Sequence, residues 1–227
     1  MESAYKIFEP QGGVKSVLIV LHRLASSKES YSTEVIANSI LKDGVATVAF
    51  DLPKHGNNDT ALTLDNCLGS IKGVLQFVKS QYPTADINAM GSSFGAYLTL
   101  LFILKYYNPF KQIVLRCPAV TMGKSMKSAK RENMSDALKE LIDCAVTQSF
   151  YEELITNDLF EMDCVNVPIT VIHGTDDKIV AFDVVKDYIS RKLPNAELTE
   201  FENSGHSMRS ETELKRTVEI IEALLNR

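Results

Sequence analysis

The chain has 227 residues, 45% of them apolar and 23% charged, with a formal net charge of −5. That length suits one domain with a full core and needs no disulfide staples. The acidic balance argues against nucleic acid as a partner, because phosphate binding needs a concentrated basic face. The first residues, Met1 to Pro10, lack a basic-then-apolar leader pattern, and no run approaches the 18 apolar residues of a membrane span; both point to a cytoplasmic protein. One basic cluster, Lys124, Lys127, Lys130 and Arg131, reads as a solvated loop, with an anionic ligand or lipid headgroup as the alternative. The four cysteines, Cys67, Cys117, Cys144 and Cys164, are widely spaced without C-x-x-C and read as small hydrophobes rather than a disulfide framework.

In chain order, β-rich runs alternate with helical patterns. The expected strands are Val17–Leu21, Val45–Phe50, Asp86–Met90, Ile113–Arg116, Ile169–His173 and Glu197–Phe201, with Tyr5–Phe8 as an added edge. Several are continuously apolar, as in parallel strands covered on both faces. Leu64, Leu68, Ile71, Leu75 and Val78 recur at steps of three and four, one stripe on a helix. The segment Ala96 to Tyr107 is apolar almost all round and should lie deep in the core. The last helix opens on a capping box, Ser210 to Glu213, and buries Leu214, Val218, Ile221 and Leu225. This alternation predicts an α/β fold, a mostly parallel, doubly wound sheet of six to seven strands flanked by helices.

The stretch between Cys117 and Val167 breaks the rhythm. It carries no strand, only an amphipathic helix (Leu138, Leu141, Ile142, Ala145) and a second capping-box pattern, Ser149 to Glu152. Such a length exceeds a plain crossover, so residues 118–166 are expected to form a short helical cap inserted in the single domain 1–227. An ordinary long helical connection is the alternative. Phe150, Tyr151, Leu154, Leu159, Phe160 and Met162 could line an apolar acyl pocket or form the core of that cap.

The chemistry centres on Gly91-Ser92-Ser93-Phe94-Gly95, a G-x-S-x-G placed between a strand and an apolar helix. A sharp turn there strains the central serine and lifts its hydroxyl clear of the sheet, and the flanking glycines allow close passage of strand and helix. A serine nucleophile needs a base, and the base needs a carboxylate to fix its tautomer. Of the four histidines, His206 follows Ser204-Gly205 in the loop before the final helix and is the candidate base. His173 ends a strand and reads as structural. Asp176 and Asp177 both follow that strand, and their chemistry does not separate them.

The order Ser93, Asp, His206, together with the elbow, resembles the α/β-hydrolase superfamily over nearly the whole chain. His173-Gly174-Thr175-Asp176-Asp177-Lys178-Ile179-Val180 is similar to that family's H-G-x-x-D-x-x-V segment, which implies Asp177 as the triad acid. Asp51-Leu52-Pro53-Lys54-His55-Gly56 is similar to its D-x-P-x-H-G loop, implying a structural His55. Size and motifs look most like the small bacterial carboxylesterases, feruloyl- and cinnamoyl-esterase-like or monoacylglycerol-lipase-like. The resemblance implies backbone N–H groups of Leu24 and Phe94 as the oxyanion hole. The histidines are dispersed, with no H-x3-H or Cys/His ligand spacing, and no Gly-rich phosphate loop is present, so no metal and no cofactor are expected.

One departure stands out: in Leu21-His22-Arg23-Leu24, Arg23 occupies the place where the family usually has Gly. It either faces solvent or reaches the pocket mouth and favours acidic substrates. The expected function is hydrolysis of small-molecule carboxylic esters through an acyl-enzyme. The alternatives are a peptidase or thioesterase on the same triad, and a catalytically weak ligand-binding member of the fold. Monomer and homodimer are both open.

Overall fold

A computed structural model of the chain describes residues 4–128 and 134–226. Among the described residues, seven strands form one sheet: β1 (Tyr5–Phe8), β2 (Ser16–Leu21), β3 (Val45–Phe50), β4 (Asp86–Ser92), β5 (Ile113–Arg116), β6 (Ile169–Gly174) and β7 (Ala196–Phe201). Their order is β1-β3-β2-β4-β5-β6-β7, with every pairing parallel except β1 on β3. The expected strands are all present, extended by one or two residues at β2, β4, β6 and β7.

The sheet is covered on both sides, which is why its central strands read as unbroken apolar runs. Along β2, Val17, Ile19 and Leu21 enter one core cluster while Leu18 and Val20 enter the other, and β3 divides in the same alternating way. The larger cluster takes in α2 (Leu64–Gln81) and α3 (Phe94–Lys105), together with Val185 and Tyr188 of α7 (Phe182–Lys192). The smaller takes in Ile36 and Ile40 of α1 (Tyr31–Ile40) and Val218, Ile221 and Leu224 of α8 (Glu211–Leu225). The chain is a mostly parallel, doubly wound α/β sheet flanked by helices.

Side-chain caps set several of the helix starts. Ser30, Thr63, Ser135 and Thr147 each accept from a backbone N–H three residues on. Ser210 and Glu213 form the full capping box at α8. The pattern Ser149 to Glu152 is not a cap. Helix α6 (Gln148–Thr156) starts earlier, on Thr147, so Ser149 already lies inside it, and Glu152 instead accepts from Gln148 Nε2 at 3.1 Å.

Between β5 and β6 the described residues form α4 (Met122–Ser128), α5 (Asp136–Ala145), α6 and a 3-10 turn at Leu159–Glu161. Phe150, Leu154 and Leu159 are fully buried in the larger cluster, with Phe150 edge-on to Phe94 at 6.2 Å. In the basic cluster, Lys124 pairs with Asp158 at 2.7 Å. Lys130, Arg131 and the side chain of Lys127 lie outside the described residues. All four cysteines are free thiols, Cys67 and Cys117 buried as expected of small hydrophobes, but Cys144 and Cys164 exposed. Among the described residues no helix is long and apolar enough to cross a membrane.

Candidate active site

Strand β4 runs into α3 through Ser93, whose φ of 51° and ψ of −109° lie outside the ordinary regions for an L-residue. The turn is pinned on both sides. The Ser93 N–H donates to Arg116 O at 2.8 Å, and the Ser93 carbonyl accepts from Tyr97 N–H at 3.0 Å and Ala119 N–H at 3.2 Å. The glycines are required by contact rather than by φ. A Cβ on Gly91 would fall 2.6 Å from Ala96 Cα, and one on Gly95 would fall 2.2 Å from the Leu21 carbonyl oxygen.

Two loops at the same sheet edge meet the elbow. Gly174 ends β6, where a Cβ would lie 2.2 Å from Ser204 O, so only glycine lets the loop after β7 come this close. Thr175 Oγ1 accepts from Asn203 N–H at 2.9 Å and Ser204 O accepts from Asp176 N–H at 3.0 Å, tying the loops together. The tie places His206 between the other two groups: its Nδ1 is 2.7 Å from Asp177 Oδ2 and its Nε2 is 2.9 Å from Ser93 Oγ. An ionised carboxylate only accepts, so Nδ1–H donates to Asp177 and Nε2 is left to accept the Ser93 hydroxyl proton. Asp176 is exposed, whereas Asp177 is buried.

Burial works against the Asp177 carboxylate, but hydrogen bonding and charge from His206, with the Val180 and Ile179 amides, hold its pKa below the ordinary value. His173 sits in the wall behind it. Its Nε2–H donates to Val180 O at 2.9 Å, and burial lowers its pKa, so it serves the turn as a neutral ring. Cys117 Sγ, Asp177 and His206 offer three ligand atoms within 4.8 Å of one another. Burial pushes the Cys117 thiol up to about 12, which withholds the thiolate a soft metal needs, and the other two atoms are engaged with each other.

The segment 22–25 is stapled to the loop after β3 by two histidines. His22 Nε2 accepts from Leu52 N–H at 3.0 Å while its Nδ1–H donates to Arg23 O at 2.8 Å. His55 Nε2 accepts from Ala25 N–H at 3.1 Å and its Nδ1–H donates to Pro53 O at 2.8 Å. Leu24 thus sits between two anchored neighbours, Arg23 and Ala25, the latter at φ 53°. Asp51 fastens the same loop by accepting from Lys28 Nζ at 2.6 Å and from the Lys28 and Asn57 amides. Phe94 is the first residue of α3, so its N–H lies outside the helical ladder at the positive end of the dipole.

A cavity of about 40 Å³ opens beside Ser93 and His206, and Arg23, Arg116 and Arg209 are all in its wall. Arg23 is therefore turned to the site. No sequence motif points to Arg116 or Arg209; the signal for Arg116 is a charged residue closing the otherwise apolar strand Ile113–Arg116. None of Phe150, Tyr151, Leu154, Leu159, Phe160 or Met162 lines this cavity. Phe150, Leu154 and Leu159 are core, and Phe160 packs on Tyr188 at 5.1 Å.

Fold and site geometry together define the α/β-hydrolase class, with a strained elbow serine in hydrogen-bonding line with a histidine and an aspartate. Within it, a family model described as serine aminopeptidase, S33, matches residues 12–156, more than half of the chain, and the chain belongs to that family. A monoacylglycerol lipase of Rattus norvegicus, ABHD6, is 21% identical over 96% of this chain and 77% of its own length. Among solved structures, Est1E from Butyrivibrio proteoclasticus with ferulic acid bound superimposes with a TM-score of 0.78 at 17% identity, covering 97% of this chain and 93% of its own. Mouse alpha/beta hydrolase domain-containing protein 10 gives 0.78 at 16% identity, with 98% and 93% covered. These structures share the fold.

Proposed function

We propose that the protein is a serine hydrolase that cleaves carboxylic esters of small molecules through an acyl-enzyme. The observation that carries this reading is the unbroken line from Ser93 Oγ through His206 to Asp177, at 2.9 and 2.7 Å, on a strained elbow. Within it, His206 Nε2 takes the Ser93 proton as Oγ attacks the ester carbonyl. Asp177 holds the ring in the required tautomer and stabilises the imidazolium. The tetrahedral oxyanion is held by the Phe94 and Leu24 amides, donors of a kind worth about 3–4 kcal/mol each in such sites. Collapse expels the alkoxide, which His206 protonates. Water then loses a proton to His206 and attacks the acyl carbonyl, and the acid leaves with Ser93 restored. No step calls for a metal or cofactor.

The helices of residues 118–166 serve in this reading as a small cap. Support comes from Ala119, whose amide binds the Ser93 carbonyl, and from Phe150 packed on Phe94. The name of a relative, a monoacylglycerol lipase, and the ferulic acid bound to Est1E put esters ahead of other acyl substrates. The family description favours peptides as the second reading.

The test is labelling with a fluorophosphonate, with the modified peptide mapped by mass spectrometry and a Ser93→Ala control. Rapid modification confined to Ser93, with turnover of simple esters and not of amino-acid anilides, is the expected result. A folded protein that neither labels nor turns over esters would refute the reading, and anilide turnover alone would replace it with the peptidase.

A further inference from the structure

Three arginines line the cavity beside Ser93, and among the described residues no carboxylate pairs directly with any of them. Arg116 is 5% exposed, yet among the described residues its side chain makes one hydrogen bond, from Nη2 to Met208 O at 2.9 Å, and its buried Nε–H has no acceptor. Among the described residues, neither it nor Arg23 nor Arg209 forms an ion pair, although the chain as a whole is acidic, at −5. Burial and mutual repulsion push down the pKa of Arg23, with Arg209 and Arg116 as the repelling charges. No acid in range bonds these guanidiniums directly. Glu213 attracts Arg116 from a distance, but its carboxylate accepts from Ser210 N–H and Oγ–H at the start of α8, and Asp177 is bonded to His206.

A buried guanidinium without a direct ion-pair partner is costly, and one lining the cavity beside Ser93 suits an anion from outside. The space is enough for a small anion. A water needs about 10–15 Å³ on this measure, so a cavity of about 40 Å³ holds about three small atoms, the bulk of a carboxylate. Planar guanidinium donors match a carboxylate in two-point fashion. Because Ser93 lines the same cavity, the carboxylate and the scissile carbonyl must belong to one short molecule.

We infer that this cavity is a carboxylate subsite, and that the preferred substrate is a half-ester of a small dicarboxylic acid whose free carboxylate pairs with Arg116 and Arg23, with Arg209 at the rim. The inference rests on the ester-hydrolase reading and narrows its substrate class.

The experiment compares monoethyl with diethyl esters of malonate, succinate, glutarate and adipate by pH-stat titration, in wild type and in Arg116→Met, Arg116→Lys and Arg23→Gly. In wild type, kcat/KM for at least one half-ester is expected to exceed that of its diester by about 100-fold, the scale of a buried charge pair. Arg116→Met is expected to remove most of that preference, Arg116→Lys to restore part of it, and Arg23→Gly to reduce it independently should Arg116→Met fail to fold. Arg116 also holds the Met208 carbonyl two residues past His206. A merely structural Arg116 would lower both substrates together with the ratio unchanged, and that result overturns the inference. Fluorophosphonate labelling of Ser93 with no half-ester preference in wild type also overturns it while the ester-hydrolase reading stands. If neither labelling nor turnover occurs, that reading falls, and calorimetric titration with succinate decides the subsite: binding lost in Arg23→Gly and Arg116→Met supports it, and no binding ends it.

Discussion

Asp176 and Asp177 carry the same functional group one peptide bond apart, and the turn after β6 gives them different surroundings. Asp177 is buried, accepts from the Ile179 and Val180 amides through one oxygen and from His206 through the other. Asp176 points to solvent. Asp177→Asn is therefore expected to lower kcat by about 10⁴-fold, because an amide can donate to Nδ1 and impose the wrong tautomer. Asp176→Asn should leave kcat within about twofold; steady-state kinetics on one ester, with circular dichroism to verify folding, separates the two. Equal losses in both variants would remove Asp177 from the role assigned to it. His55 and His22 show the same dependence on position. Both act as neutral clips between two loops, with each ring nitrogen bonded to the backbone.

Among the elements, α6 and the elbow show how local rules meet their limits. The Ser149 to Glu152 spacing satisfies the capping-box pattern, yet the helix starts two residues earlier because Thr147 is available and accepts from Phe150 N–H at 3.1 Å. Thr147→Ala should cost about 1 kcal/mol in urea unfolding, whereas Ser149→Ala should change stability by no more than about 0.5 kcal/mol. The reverse ranking would restore Ser149 as the cap. At the elbow, Gly95→Ala drives a methyl into the Leu21 and His22 carbonyls, contacts of 2.2 and 2.7 Å made by backbone on both sides. Since neither side can yield cheaply, a loss of about 1–3 kcal/mol is expected, together with slower fluorophosphonate labelling as the β4–α3 junction shifts. Unchanged stability and labelling would show that the junction is looser than this packing implies.

For the whole molecule, three buried histidines couple folding to pH. Burial lowers the pKa of His22 to about 3, against an ordinary 6.5, and also lowers those of His55 and His173. A depressed histidine binds its proton in the unfolded chain before the folded one, so stability falls as pH drops below about 6.5. For His22 the loss continues toward pH 3, at about 1.4 kcal/mol per pH unit. The carboxylates of Asp51 and Asp177, both held below their ordinary 3.8, add a further loss only at lower pH. Urea unfolding at pH 7.5, 6.5, 5.5 and 4.5 should show this slope, and His22→Asn should flatten it by about one proton even if the variant is less stable at neutral pH. A slope identical in the two proteins would mean that His22 is not the neutral clip described here.

Strand positions, the strained serine and the start of the last helix were legible in the sequence, because each depends on a few adjacent residues: apolar runs such as Val45–Phe50, two glycines flanking an elbow, Ser210 with Glu213 three positions on. Family resemblance selected Asp177, but the reason it rather than Asp176 meets His206 is a turn tied to Ser204 and Asn203 of the neighbouring loop. Nor could the sequence say whether Phe150 and Leu154 lined a site or filled a core, since both uses demand the same apolar residue. Above all, Arg23, Arg116 and Arg209 are remote along the chain and meet at one cavity only because β2, β5 and the loop after β7 end at the same sheet edge. Charge convergence of that kind is a property of three-dimensional distance, and tertiary structure alone decides it.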